Sequence, residues 1–309
     1  MTMSDRIARQ IIGTFHKTGT HLWKQICWQA HREGVFRLWD LDSGVDYQNE
    51  TAVCTYFAHL LEARLKEHSA SLDTLDRLSI CIRDPRDVIV SSAYYHCKTS
   101  EEWCHAPDKR FGGLTYQEKI NSYENRQDQF LFEMENVGHF TISSMTKTKD
   151  RFDGQNCIFC RLEDLSHDYK LEKFHEVYSF LNFNPGQIVD LLAISLENSL
   201  FAKPDGVKQH HHARSISTAQ FLREFEDRTR DRFNELFPDS VAKLGYPEDG
   251  VEIQSPDNLC GPRCEDGSFS PRRRHRDTLS RELGAALTPD VVKPARRRIR
   301  RFLKDRFNA

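Results

Sequence analysis

Twice in its first hundred residues the chain runs a short apolar stretch into a polar turn and then directly into a segment of helical period. Ile11, Ile12 and Phe15, bounded by Gly13 and Gly19, precede Leu22, Trp23, Ile26, Cys27 and Ala30 at helical spacing over His21 to Arg32. Leu78 to Ile82 precedes a helix expected to reach His96, with Asp84 as its N-cap and Pro85 in its first turn. Val35 to Leu41 and Cys157 to Leu162 read as further strands. Thr51 to His68, Tyr116 to Glu135, Phe140 to Lys149 and Asp168 to Asn182 read as helices. Strands separated by helices need parallel pairing with both faces covered, so the expected class is α/β, three layers around a central, mainly parallel sheet.

After Gly245 the pattern breaks at Pro247, Gly250, Pro256, Gly261, Pro262, Gly267 and Pro271. The expected division is a compact domain over 1–247 and a Pro/Gly-rich segment with a basic tail over 248–309. The tail ends in an amphipathic helix from Pro289 to Phe307. The net charge of -2 conceals an asymmetry, because Ser268 to Ala309 carries 13 Lys/Arg against 4 Asp/Glu and the rest of the chain is acidic. The tail has no aromatic interleaving of the kind that reads nucleic acid, so its expected contact is an acidic surface of its own or another subunit, a route to a homo-oligomer. No stretch approaches the roughly 18 apolar residues of a spanning helix, and Met1 to Gln10 lacks the apolar core of a signal peptide. Nine scattered cysteines fit thiols kept reduced in a cytosol, and the expectation is a cytoplasmic, soluble protein.

Ligands of open α/β sheets sit at the carboxyl ends of strands, which directs attention to Phe15-His16-Lys17-Thr18-Gly19-Thr20-His21. A helix N-terminus, a glycine, two threonine hydroxyls and a lysine can together hold phosphate or sulfate. Lys17 precedes Gly19, so this is not a Walker A loop. The second junction, Arg83-Asp84-Pro85-Arg86-Asp87-Val88, puts an arginine fork at a strand end and Ser91 two turns into the helix, a grip for a second phosphate.

Together the two loops resemble those of the sulfotransferases that use 3′-phosphoadenosine 5′-phosphosulfate (PAPS). In that family a Lys-Ser-Gly-Thr-Thr loop binds the 5′-phosphosulfate, which maps onto Lys17, Thr18, Gly19, Thr20 and His21. An Arg-Asn/Asp-Pro-Lys/Arg-Asp-Val segment with a serine eight residues after the arginine binds the 3′-phosphate, which maps onto Arg83 and Ser91. Arg161-Leu162-Glu163-Asp164-Leu165 resembles the family's Tyr-Glu-Asp-Leu segment, with Leu162 in the tyrosine's place. The adenine-stacking tryptophan falls at Leu22, with Trp23 one place on, and the late Arg-Lys-Gly stretch is approached only by Arg214. The resemblance implies a P-loop-like, nucleotide-kinase-like sulfotransferase fold. It also implies transfer of the sulfuryl group of PAPS to a hydroxyl or amine of a small-molecule acceptor, with adenosine 3′,5′-bisphosphate (PAP) released.

Such a transfer requires in-line geometry, a base and positive charge on the departing phosphate, which lysine, arginine and backbone donors supply without a metal. Lys17 is the candidate for leaving-group stabilisation. His59, 24 residues before Arg83, resembles the family's catalytic histidine, although the surrounding pattern reads as helix where the family has a strand end. Asp40, Asp42 and Glu33 are carboxylate alternatives. No metal is expected. His96, Cys97, Cys104 and His105 match no zinc spacing, His210 to His212 cannot readily converge on one ion, and Cys260, Cys264 and His275 are an incomplete set. Cys157 and Cys160 should face opposite sides of their strand. A nucleotide kinase and a non-catalytic nucleotide- or polyanion-binding protein remain the competing readings.

Overall fold

The computed structural model describes residues 8–42, 52–168, 170–199 and 218–250. Five parallel strands form one sheet in the order β2-β3-β1-β4-β5: β1 Gln10–Gly13, β2 Leu38–Asp40, β3 Ala52–Thr55, β4 Arg77–Ile82 and β5 Cys157–Arg161. The helices up to β5 are α1 Thr20–Arg32, α2 Leu61–Glu67, α3 Pro85–His96, α4 Tyr116–Asn121, α5 Arg126–Glu135 and α6 Val137–Phe152. Beyond it come α7 Leu162–Ser166, α8 Glu172–Phe180, α9 Pro185–Asn198, α10 Phe221–Glu224, α11 Asp227–Leu236 and α12 Ser240–Lys243.

Alternation along the strands divides the interior in two. Ile11, Val53 and Ile80 face a core filled by α3, α5 and α6, through Val88, Phe130 and Ile142 among others. Ile12, Cys54 and Cys81 face the opposite core, built on α1, α8 and α9 with Ile26, Phe174 and Leu192. The result is the expected three-layer α/β/α arrangement, with β1 central. Cys157 packs on the first core and Cys160 in the second, on opposite faces as the strand period requires.

The helix expected over Thr51 to His68 is corrected by the structure. Ala52 to Thr55 is a strand buried along its whole length between β1 and β2, followed by a 3-10 turn at Ala58–Leu60 and only then by α2. A four-residue buried strand leaves no alternation to read, so the helical spacing of Phe57, Leu61 and Leu65 extended falsely over it. The correction places His59 four residues beyond a strand end, on the same edge of the sheet as the β1 and β4 turns. The single pattern from Tyr116 to Glu135 is two helices, parted where Asn125 caps α5 by accepting from the Asp128 amide. Asp84 caps α3 as expected, accepting from the Arg86 amide.

The carboxyl-terminal part of the described chain is tied to this same edge. Arg86 is bridged to Asp84 at 2.8 Å, donates to the carbonyls of Pro247 and Glu248, and stacks on Phe221 with 3.9 Å to the ring centroid. Residues 251–309, with Cys260, Cys264, His275 and the terminal helix, lie outside the described residues, as do Arg214 and His210 to His212. No helix among the described residues is long and apolar enough to cross a membrane.

Candidate active site

A cavity of about 770 Å³ opens where β1, β3, β4 and β5 end, and it gathers Lys17, Gly19, Thr20, His21, Leu22, His59, Arg83, Ser91 and Leu162. Its size is that of a small-molecule site.

The β1–α1 turn is held by its own hydroxyls. Thr18, fully buried, accepts from the Phe15 amide at 2.8 Å and donates to the Phe15 carbonyl at 3.1 Å. Thr20 donates to the same carbonyl at 2.8 Å and lies 3.0 Å from the Thr14 hydroxyl. Thr18 therefore braces the loop with its side chain, whereas Thr20 also lines the cavity. No side chain caps α1, whose N-terminal turn presents partial positive charge to the cavity. Gly19 makes the turn possible. It stands at φ 97°, and a Cβ there would come within 2.9 Å of Leu162 Cδ1 and 3.5 Å of Cys81 Sγ. Gly19→Ala is expected to lower stability by about 2 kcal/mol, roughly 5 °C in melting temperature, because a side chain costs about that much in the left-handed region. An unchanged melting temperature would show that the loop relaxes freely.

Lys17, also left-handed at φ 63°, places its ammonium 3.7 Å from the Tyr95 ring centroid. Burial, with Arg83 adding to it, lowers its pKa to about 7, against the opposing pull of Glu101 and Glu133. Arg83 joins the two loops by donating from Nη1 to the Lys17 carbonyl at 3.3 Å. Its Nη2 lies 3.8 Å from Asp87, whose other oxygen accepts from the Phe221 amide. Glu163, in the same cavity wall, accepts from the Asp84 amide at 3.0 Å and from the Tyr246 hydroxyl at 2.9 Å. Burial pushes Asp87 up to about 6 and Glu163 up to about 7, with Arg83 opposing both shifts.

His59 sits among three aromatic rings. Its imidazole stacks on Phe15 at 6.2 Å and meets Phe140 and Phe57 edge-on at 4.9 and 6.2 Å. Nδ1 is buried without a hydrogen-bond partner among the described residues, and burial lowers the ring's pKa below the usual histidine value. The imidazole is thus neutral near pH 7, the form that accepts a proton.

Other candidates fall elsewhere. Trp23, expected beside Leu22 as a stacking residue, is corrected: its ring is 1% exposed in the core, edge-on to Phe174 and Tyr178, because one residue along a helix turns the side chain by about 100°. Leu22 faces the cavity in its place. None of the carboxylate alternatives lines the cavity. Asp40 accepts from the Trp28 indole and the Tyr56 hydroxyl, Asp42 from the Tyr56 amide, and Glu33 from the Gln29 amide group. His96 is bonded to Glu133 at 2.8 Å, His105 to the Thr99 carbonyl, and Cys97 to Gln129 and Arg126, so these side chains do not converge. Among the described residues no three potential metal ligands cluster. Tyr95 and Glu101 join the site without having been given a role in the sequence, since only tertiary packing brings them to Lys17; Asp87, one helical turn after Arg83, and Glu163 lie within the two motif segments but carried no role there.

No family model and no curated protein matches the chain. Among solved structures, mouse sulfotransferase SULT7A1 complexed with PAP aligns over 77% of this chain and 86% of its own length, with 14% identity and a TM-score of 0.48. Retinol dehydratase in a complex with retinol and PAP aligns over 78% of this chain and 84% of its own, with 14% identity and a TM-score of 0.44. At this distance, what the site does rests on its own residues.

Proposed function

We propose that the protein is a PAPS-dependent sulfotransferase acting on a hydroxyl or amine of a small-molecule acceptor. The observation that carries this reading is the joining of two separate anion loops at one cavity: Arg83 donates to the backbone carbonyl of Lys17, so the loops meet and both side chains line the cavity at the N-terminus of α1. One cavity then holds grips for two phosphate groups, and the arrangement lacks the Walker lysine position that a nucleotide kinase uses.

In this reading Lys17, Gly19, Thr20, His21 and the first turn of α1 hold the 5′-phosphosulfate, with Thr18 bracing the loop. Arg83 and Ser91 hold the 3′-phosphate, and Leu22 and Leu162 flank the adenine. His59 accepts the acceptor proton as the acceptor oxygen or nitrogen attacks sulfur. The sulfur–oxygen bond to the phosphate breaks in line, and Lys17 neutralises the charge left on PAP. Arg214 would complete the 3′-phosphate grip, although it lies outside the described residues.

The test is sulfuryl transfer from radiolabelled PAPS to a panel of phenols, alcohols and amines, run beside phosphoryl transfer from ATP with Mg²⁺. Label passing only from PAPS supports the reading. Label passing only from ATP establishes the kinase instead.

Lys17 adds a second test. Its ammonium is mostly neutral at pH 8 in the free protein, and a phosphate placed against it restores the charge. PAP binding at pH 8 is therefore expected to take up close to one proton, read as a dependence of the binding enthalpy on buffer ionisation enthalpy, and to weaken as pH rises above 8. Lys17→Arg, charged throughout, is expected to bind without that uptake. A binding enthalpy independent of buffer in the native protein would contradict the role given to Lys17.

A further inference from the structure

Behind Lys17 lies a buried acid–base cluster that the transfer chemistry leaves unused. The His16 ring lines the cavity and stacks on the His96 ring, with 5.0 Å between centroids and 6° between planes. His96, fully buried in α3, is bonded through Nδ1 to Glu133 of α5 at 2.8 Å, and the same carboxylate oxygen accepts from the Tyr116 hydroxyl of α4 at 3.0 Å. Three polar atoms of the cluster, His16 Nε2, His96 Nε2 and Glu133 Oε1, are buried without a hydrogen-bond partner among the described residues. A buried carboxylate with one bare oxygen and only neutral donors on the other is costly, and a proton on the imidazole pair answers its charge.

Tyr95 connects this cluster to the anion loop. The Lys17 ammonium lies 3.7 Å from the centroid of the Tyr95 ring, which stands 5.8 Å from the His16 ring and 5.7 Å from that of His96. Burial first, then His96 and Lys17, hold His16 well below the usual histidine pKa, so this ring carries no proton near pH 7 in the free protein. A phosphate set against Lys17 cancels the repulsion from the ammonium. The other groups around the cluster do not compete for the proton. Burial raises the phenols of Tyr95 and Tyr116 and the thiols of Cys97 and Cys104 above their ordinary values, while Arg83, Lys98 and Glu101 act on Lys17.

Resting on the sulfotransferase reading above, we propose that the His16–His96–Glu133 cluster is a second proton site coupled to the donor: PAP in the cavity draws one proton from solvent onto the imidazole pair, with Glu133 as its counter-charge. The coupling is reciprocal, so acid that protonates the cluster tightens the hold on PAP by the same factor. His16 meets the cavity, and His96 and Glu133 are positioning residues that act through it. The device is a brake on product release at acid pH.

The experiment counts the protons taken up when PAP binds, by calorimetry in pairs of buffers of different ionisation enthalpy. At pH 6, where Lys17 is already charged, the native protein is expected to take up about half to one proton more than either His16→Asn or Glu133→Gln, the ionisation of PAP itself being common to all three. Between about pH 7 and 5.5 the ratio of native to variant affinity should rise about three- to tenfold. At pH 8 the uptake belongs to Lys17, and His16→Asn should match the native protein. A purely structural role for the cluster would change affinity without changing the proton count. Equal uptake at pH 6 in all three proteins would overturn the proposal. So would a loss in one variant alone, since the proton would then belong to a single ring, or a loss in His16→Asn at pH 8 as well, since Lys17 would then be what was disturbed. If Glu133→Gln does not fold, His16→Asn decides alone. Failure of PAP to bind the native protein would overturn the sulfotransferase reading together with the proposal, whereas binding with equal uptake would overturn the proposal only.

Discussion

His59→Gln is expected to lower kcat for sulfuryl transfer by about 10²–10⁴, the usual worth of a positioned general base, and to leave PAP affinity within about twofold. The separation follows from geometry. His59 reaches the cavity from the turn after β3, on the opposite flank of β1 from the β4 turn that carries Arg83. The pH profile supplies a second signature. Burial holds the imidazole below the usual 6.5, so kcat at saturating PAPS should fall on the acid side, as pH drops through a value under 6.5, and Gln at this position should remove that limb. A native-like rate with the limb intact in His59→Gln would move the base to another residue. The packing of Phe15, Phe57 and Phe140 around the ring makes Gln the appropriate replacement, because a smaller residue would also open a hole among the aromatics.

Arg83→Ala is expected to weaken PAP binding by about 10–100-fold, the loss of charge-assisted hydrogen bonds worth roughly 1.5–3 kcal/mol. The same change should alter stability in a pH-dependent way. Asp87 and Glu163 have folded pKa values of about 6 and about 7, above their ordinary 3.8 and 4.5. The folded state therefore binds more protons than the unfolded chain between about pH 4 and 7, and stability falls as pH rises through that window. Arg83 holds both values down, so its removal extends the fall to higher pH. Arg83→Ala should unfold at a clearly lower temperature than the native protein at pH 8, with a smaller gap at pH 5. A gap that is constant from pH 5 to 8 would show that Arg83 does not compensate these carboxyls.

Which parts of this architecture could be read in advance depended on whether the signal was local. The β1 and β4 turns were legible because each packs its signal into a few consecutive residues: apolar run, glycine or capped proline, cation. The strand at Ala52 to Thr55 was not, since it is short, buried on both sides and continuous with a helical pattern. That one misreading also hid why His59 lies on the ligand edge. Leu22 and Trp23 were indistinguishable in a motif that fixes position only to within one residue, while the helix turns them to opposite fates. Glu101 and Tyr95 carry no motif at all. They reach Lys17 because α3 and the turn after it return to the end of β1, a consequence of packing between elements far apart in the sequence.

Binding of PAP by the joined Lys17 and Arg83 loops can be tested by thermal unfolding without knowledge of the acceptor. A ligand of the folded state at 100 times its Kd adds about 2.7 kcal/mol, which corresponds to a rise of roughly 5–10 °C for a domain of this size. The melting temperature should rise with PAP and stay unchanged with sulfate alone or with ADP and Mg²⁺. A rise only with ADP and Mg²⁺, or none with millimolar PAP, would contradict the account.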